Sequence, residues 1–504
     1  MPSRTVSAAL NRVFVWLLCL GGLLAFSASV SSQADDTNTE KVQALQMQLD
    51  ALKAQVQNLQ AQLDALTSTG KGSNAAATKG SNSKGGDAPT QPDQTEATNA
   101  TQQINAPTRR SIGDATATYQ TNSQDPIAAP RIDNAPLDPM YPGYFRLPGT
   151  QTMLRIGGYF KTDFIYDLKP AGDADRFIPS SFPIPAPVGV NNTTVSIQPT
   201  RMNFDFLIPY KSSSVRFFME FDFFGTNETT PRLRHAYAQS RNILIGQSFS
   251  NFEDPDSGAD TLDFQGPNGQ VILRNPQLRY SIPLAEKTSL SLSLEKASSD
   301  VAFQTPQFTD LLNSPTPDGA IKFRHEFESG HIQLATLMRS PSAYLPNGKS
   351  DSVFGWGVNL TGSLKMAGSN TFVFQGAYGA GYERYVNDTS GLGIDAAPKD
   401  PFHLKALPLT ATFGGFQHYW FKQLRSSAVY GFVQVQNTGL QPGSTFHKSD
   451  YTAANLIWNP FGSFNVGTEF LYGWVVDKNR STANAPRFMF SAKYNFIKEG
   501  DTKK

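Results

Sequence analysis

Arginine recurs at matching places in successive stretches of this chain, on the polar side of an alternating pattern. Arg155 and Lys161 share one face with Asp163 and Asp167. Arg201, Arg216, Arg232, Arg234, Arg279, Lys322, Arg324 and Arg339 take the same side of later stretches, and so does Arg274, beside a proline that interrupts the alternation. A guanidinium keeps its charge and presents a planar fork of donors matched to carboxylates. Stacked on neighbouring strands, these side chains form a basic wall, suited to an anion path. Asp205, Glu220 and Asp222 lie on the same faces. A salt-bridged ladder that merely solvates an interior is therefore the competing reading.

A second cluster is acidic. Asn251-Phe252-Glu253-Asp254-Pro255-Asp256 continues through Asp260 and Asp263. Folded inward opposite the arginines, these acids would narrow a lumen and set a transverse field across it. A calcium site or an exposed extracellular loop would use the same residues differently. Catalysis finds little support. The histidines at 235, 325, 331, 403, 418 and 447 are scattered, and none sits in a nucleophile motif or at metal-ligand spacing. The single cysteine, Cys19, lies in an apolar leader, so no disulfide or cysteine-based metal site is expected. No enzyme activity, cofactor or metal is anticipated.

The elements that must position these residues are strands. Leu154, Ile156, Gly158, Phe160, Thr162, Phe164, Tyr166 and Leu168 alternate with Arg155, Tyr159, Lys161, Asp163 and Asp167. Period-two alternation gives a strand with one apolar and one polar side. The pattern recurs in sixteen stretches: 153–168, 196–209, 214–224, 232–240, 242–249, 270–283, 288–297, 319–327, 330–340, 352–365, 370–379, 409–419, 427–436, 451–458, 464–474 and 486–496. Short connections follow even-numbered stretches, as at 210–213 and 459–463. Long ones follow odd-numbered stretches, as at 169–195, 250–269 and 380–408. The expected fold is an all-β transmembrane barrel of 16 antiparallel strands over 141–504, apolar face outward. An even count puts both barrel ends on the periplasmic side. The last stretch, with Phe488, Phe490, Tyr494 and Phe496 on one face, resembles the aromatic final strand of outer-membrane proteins.

Three segments precede the barrel. Arg4 and Arg12, an apolar run from Val13 to Phe26 and a small-residue end at Ala34 predict a secretory signal peptide over 1–34. Val42, Leu45, Leu49, Leu52, Val56, Leu59, Leu63 and Leu66 are spaced three, four, three, four, predicting a periplasmic coiled-coil helix over 39–69. Val at a with Leu at d leans towards dimers, and Leu at a loosens that preference. Residues 70–140 are Gly, Ser, Asn, Ala, Thr and Pro with few large apolar residues, predicting a disordered linker. Phenylalanine dominates the aromatics (Phe 36, Tyr 17, Trp 5), which suits lipid-facing bands. A formal net charge of +1 points to no polyanionic partner, so nucleic acid is not expected.

In their order, several segments resemble the DcaP-like outer-membrane porins of Gram-negative bacteria. They are Arg232-Leu233-Arg234-His235-Ala236-Tyr237, Ile245-Gly246-Gln247-Ser248-Phe249-Ser250-Asn251-Phe252, Gly266-Pro267-Asn268-Gly269-Gln270 and Gln277-Leu278-Arg279-Tyr280. Further along come Gly381-Tyr382-Glu383-Arg384-Tyr385-Val386-Asn387-Asp388, Ala454-Asn455-Leu456-Ile457-Trp458 and Glu469-Phe470-Leu471-Tyr472-Gly473. The resemblance implies a homotrimer of sixteen-stranded barrels with associated coiled coils. It also implies uptake of small organic anions, especially dicarboxylates, through an arginine-lined constriction. Arg232, Arg234 and Arg279 fall inside matching segments; the other basic residues rest on alternation alone. The chain departs from the family in a longer polar linker and in Phe249, where tryptophan is more usual.

Together these readings predict a porin for passive diffusion, set among outer-membrane lipid and lipopolysaccharide, with coiled coil and C-terminus in the periplasm. The alternative is a structural protein whose coiled coil tethers the membrane to the cell wall, with peptidoglycan as its partner. An adhesin would need the heptad helix outside the cell, against the topology.

Overall fold

The computed structural model describes residues 144–495, apart from 211–212, 226–229, 303–313, 345–347, 367–369 and 401. The expected signal peptide (1–34), coiled coil (39–69) and linker (70–140) lie outside the described residues.

Sixteen strands form one closed antiparallel barrel. β1 is Met153–Asp167, and β2 runs in two pieces, Asn192–Ser196 and Arg201–Tyr210. β3 is Ser213–Asp222, β4 Arg232–Ser240, β5 Ile243–Phe249, β6 Arg274–Ala285 and β7 Thr288–Glu295. β8 is Asp318–Phe327, β9 Gly330–Arg339, β10 Gly355–Lys365, β11 Thr371–Ala380 and β12 Pro408–Phe421. β13 is Leu424–Val435, β14 Phe446–Phe461, β15 Phe464–Asp477 and β16 Thr482–Asn495. Each pairs with its neighbour in sequence, and β1 closes on β16 from Tyr159↔Asn495 to Asp167↔Arg487. All sixteen expected strands are present, with shifted ends. β6 starts at Arg274 because 270–273 belong to an inward segment, and β14 starts five residues early, across a register shift at His447.

β1 pairs with both pieces of β2, and Gly158 stands opposite Met202, close to the break between them. Its φ is +132°, and a Cβ there would lie 2.2 Å from the Arg201 carbonyl oxygen. Glycine alone tolerates that approach.

Burial is inverted relative to a water-soluble sheet. Phe160 is 61 % exposed, and Ile156, Phe164, Ile245, Leu278, Leu294 and Phe490 also face out. Asp163, Arg201, Arg234 and Arg487 are buried within. Aromatic residues gather at the strand ends: Trp420, Phe421, Trp458 and Phe461 at the short-turn rim, Trp356 packed on Tyr378 (5.9 Å between ring centres) at the long-loop rim. An apolar band between aromatic belts is the outer face of a membrane barrel. No helix among the described residues is long and apolar enough to cross a membrane.

The interior has two kinds of wall. Along β1–β4 the inward side chains are mainly charged. Along β12–β15 they include Leu409, Ala411, Phe413, Val429, Val433, Leu471 and Val475, all buried. Simple alternation, polar inside, fails on these strands because three connections fold inward and bring apolar residues to pack there. They are parts of 168–191, 250–273 and 381–395. Phe177, Phe182, Phe252, Val271, Leu273, Tyr382, Tyr385 and Val386 join the wall residues in one buried cluster. Main-chain contacts bind the segments together. Val271 bridges Val386, Ile272 N–H donates to Tyr385 O (2.9 Å), and Asn387 N–H donates to Gln270 O (2.8 Å).

The Phe252 ring lies edge-on to Tyr382 (5.9 Å) and Tyr385 (6.0 Å) at the junction of two inward segments. Phe252→Ala should cost about 3–5 kcal/mol locally. The expected result is faster proteolysis within 250–273 and 381–395, while the barrel keeps its heat-modifiable electrophoretic mobility; unchanged proteolysis would contradict this packing.

Candidate functional site

Alternation on β2, β3, β4 and β6 aims Arg201, Arg216, Arg232, Arg234 and Arg279 into the barrel, whereas Arg274, of opposite parity to Arg279, stands at the very start of β6. Across β2–β6 six basic residues (Arg201, Arg216, Arg232, Arg234, Arg274 and Arg279) stand against three acids (Asp205, Glu220 and Asp222). The acids form the floor of the arrangement. Asp205 accepts hydrogen bonds from Arg155 Nη2 at 2.8 Å and from Arg216 Nε and Nη2 at 2.7 Å each. Asp222 accepts from Arg232 Nη2 (2.7 Å) and Arg234 Nη1 (2.7 Å), while Arg234 Nε reaches Glu220 (2.8 Å). Arg201 lies 3.9 Å from the same glutamate.

Exposure separates the two signs. The Asp205 and Asp222 side chains are wholly buried, whereas those of Arg155, Arg216 and Arg232 are 22 %, 16 % and 18 % exposed. The lumen therefore meets guanidinium, and the balancing carboxylate lies beneath it. Aromatic rings hold the other faces of the cations: Arg216 on Phe218, Arg232 on Phe224, Arg201 on Tyr159 and Phe264.

The other predicted basic residues are spread out. Arg274 faces the charges of Arg234, Arg232, Asp222 and Glu253 and lies 5.7 Å from the Phe249 ring centre. Arg279 donates to Gln277 Oε1 (2.9 Å) and to the Phe249 carbonyl. Lys161 binds Asp163 (2.6 Å) and the Leu262 carbonyl (2.7 Å). Lys322 is half-buried on β8. Arg324 and Arg339 stand away from the β2–β6 wall, Arg324 on the loop acids and Arg339 on Asp318 and Asp395.

The acidic stretch lies within the barrel and is tied to its wall. Asp254 accepts from Arg324 (3.1 Å), from Thr361 (2.6 Å) and pairs with His331 (2.8 Å). Burial opposes its charge, yet His331, Arg324 and Thr361 hold the carboxyl below its ordinary range. Asp256 meets Arg324 at 2.8 Å, and Asp260 meets Arg425 at 2.7 Å. Glu253 accepts from Leu273 N–H (2.9 Å). Asp263 caps Phe177 N–H (3.1 Å) and Gly266 N–H (2.9 Å), and burial pushes it up to about 6. Among the described residues no group of three or more His, Cys, Asp or Glu is arranged to hold a metal ion.

Four arginines of this interior were not among the expected lining residues: Arg176, Arg384, Arg425 and Arg487. Arg425 precedes the stretch whose alternation was recognised, because β13 begins at Leu424 rather than at 427. Arg487, paired with Asp167 at 2.6 Å, stands on the polar face of the last strand, where alternation puts it opposite Phe488 and Phe490. Arg176, paired with Asp173 at 2.7 Å, lies in a long connection where no period exists to place it.

The profile of the DcaP outer membrane proteins matches residues 146–496. None of the curated proteins searched matches the chain. Among solved structures, the outer membrane channel DcaP of Acinetobacter baumannii superposes with a TM-score of 0.62 at 22 % identity, covering 70 % of this chain and 99 % of that one. An anion-selective porin from Comamonas acidovorans gives 0.46 at 9 % identity (68 % and 100 % covered). OmpT of Vibrio cholerae gives 0.43 at 12 % (68 % and 98 % covered). The last two scores are too low to carry an argument; the first shows a shared fold. With the family pattern spanning nearly the whole described barrel, the chain belongs to the DcaP outer membrane protein family.

Proposed function

We propose that the protein is an outer-membrane channel for passive diffusion of small solutes, with a preference for organic anions such as dicarboxylates. One observation carries the preference: Asp205 and Asp222 are buried, while Arg155, Arg216 and Arg232 above them on β1, β3 and β4 are partly exposed. A solute carboxylate entering there meets forked donors and no facing carboxylate. Partial solvation keeps the attraction modest, so an anion is held and then released, as diffusion through a channel requires. Two carboxylates on one solute could engage the Arg155–Arg216 pair and the Arg232 group in turn. The resemblance to an outer membrane channel of Acinetobacter baumannii supports the channel role. The heptads from Val42 to Leu66 support self-association, which we read as a homotrimer with its coiled coil in the periplasm.

Planar-bilayer reversal potentials under a salt gradient test the anion preference. Arg155→Gln/Arg216→Gln should lower the anion-to-cation permeability ratio roughly fivefold, as expected for about 1 kcal/mol of partly screened attraction. Asp205→Asn should move the ratio towards anions, because it uncovers two guanidiniums. It should also destabilise the barrel by about 3–5 kcal/mol, since the remaining charges lose a buried partner. Unchanged reversal potentials in both variants would sink the arginine-path reading. Deleting Thr39 to Thr69 should leave single-channel conductance intact while abolishing cross-linked trimers; trimers that survive the deletion would place the association in the barrel wall.

A further inference from the structure

The inward segment 381–395 is fastened by a set of acids that the anion path does not use. Glu383 is completely buried, and neither of its carboxyl oxygens has a hydrogen-bond partner. The charged groups around it are Asp395 on its own segment, Asp300 on the connection after β7, and Arg339 on β9. Arg339 is already shared. Its guanidinium lies 2.9 Å from Asp395 and 3.4 Å from Asp318 on β8, and donates to the carbonyls of Gly381 (3.0 Å) and Ser298 (2.6 Å). Arg384 reaches Asn275 Oδ1 (3.4 Å), and the Tyr385 hydroxyl donates to Asp318 (2.8 Å).

Asp300 and Asp395 form the clasp itself. Asp300 Oδ2 and Oδ1 accept from Gly391 N–H (2.6 Å) and Gly393 N–H (2.9 Å). Asp395 Oδ2 accepts from Asp300 N–H (2.9 Å), and Oδ1 from Arg384 N–H (2.9 Å). Val301 bridges Ile394 alongside. The fit is close: Gly393 has φ +70°, and a Cβ there would lie 2.2 Å from the Ala302 methyl. Three carboxyls thus converge where two guanidiniums supply the positive charge, Arg339, itself divided with Asp318, and Arg384, which acts on both Asp300 and Asp318.

We propose that segment 381–395 is a proton-locked plug, held in the lumen while Glu383 or Asp300 carries a proton beside Asp395, and loosened when that proton leaves to solvent. Burial pushes Glu383 well above the ordinary carboxyl range, and burial with the neighbouring Asp395 pushes Asp300 up to about 7. A carboxyl raised in the docked state binds its proton more tightly there than after release. Docking is therefore favoured most at acid pH and weakens as pH rises towards about 7. The segment packs on 250–273, so its release enlarges the space beside the arginine wall. This gating role rests on the channel reading; the docking equilibrium does not.

Ser390, buried on the plug, becomes the reporter. Cys19 lies in the predicted signal peptide, so Ser390→Cys gives the processed protein one thiol. Its modification by a charged methanethiosulfonate, normalised to unfolded protein at the same pH, should be about tenfold faster at about pH 8.5 than at about pH 5.5. In a Glu383→Gln background, where Asp300 alone of the two raised carboxyls still titrates, the ratio should fall by at least about half. Asp300→Asn serves as a second variant should Glu383→Gln not fold, with heat-modifiable mobility as the folding check. Equal normalised rates at both pH values, or a ratio unaffected by either variant, overturn the proposal. Bilayer conductance on the same samples separates the two readings. Labelling that follows pH in a protein without conductance upholds the plug and defeats the channel role, whereas conductance with pH-independent labelling does the reverse.

Discussion

A backbone N–H or C=O facing hydrocarbon has no partner but another strand, and each one left unpaired costs several kcal/mol. Closure of β1 on β16 is the answer to that constraint, and the rest of the molecule depends on it. Once the ladder is continuous there is no edge, and every strand has an outside and an inside. The outside must be apolar, which accounts for Phe160, Ile245 and Leu294 standing exposed. The inside becomes the one place where charged side chains can be concentrated.

Concentrated charge has its own cost, and the way it is met shapes the interior. A buried carboxylate is tolerated when hydrogen-bonded donors surround it. Asp205 and Asp222 satisfy this with two arginines apiece. The arrangement leaves cation in excess at the surface of the lumen, so anion attraction follows from how buried acids are solvated. The acids of segment 250–273 meet the same requirement differently. Asp254 and Asp256 share Arg324 on β8 and Asp260 takes Arg425 on β13, which pins the segment to two separate parts of the wall. Asp263 caps backbone N–H groups instead. Acids that seemed placed to create a field across the opening also act as anchors.

Anchoring brings apolar residues inside a barrel. Phe177, Phe252, Tyr382 and Val386 pack against Val433 and Leu471 much as in a soluble core. Burial of this kind stabilises the inward segments roughly in proportion to the apolar area they hide. The charged groups on their rims determine how tightly each segment sits. The lumen is thus divided between a water-facing arginine wall and a dry packed region, and alternation along β12–β15 does not distinguish the latter from a lipid-facing strand.

The strands were legible because lipid outside and water inside impose a period of two, and that period survives in the residues themselves: Arg155 to Asp167 on β1, or Phe488 to Tyr494 on β16. The inward direction of Arg201, Arg216, Arg232, Arg234 and Arg279 followed from the same parity. Arg425 was missed where β13 starts before its alternation is evident, and Arg176 because a long connection has no period. Which arginines share an acid, and that Asp254 would meet Arg324 and His331, depends on strand register and on how far a loop reaches across the barrel. By itself the sequence determined the number of strands, their order and, on the arginine-bearing strands, which side is polar, since these are local consequences of side-chain alternation. Only the tertiary structure decided that three connections fill part of the lumen and that the acids lie under the arginines, because both depend on contacts between residues tens to hundreds of positions apart.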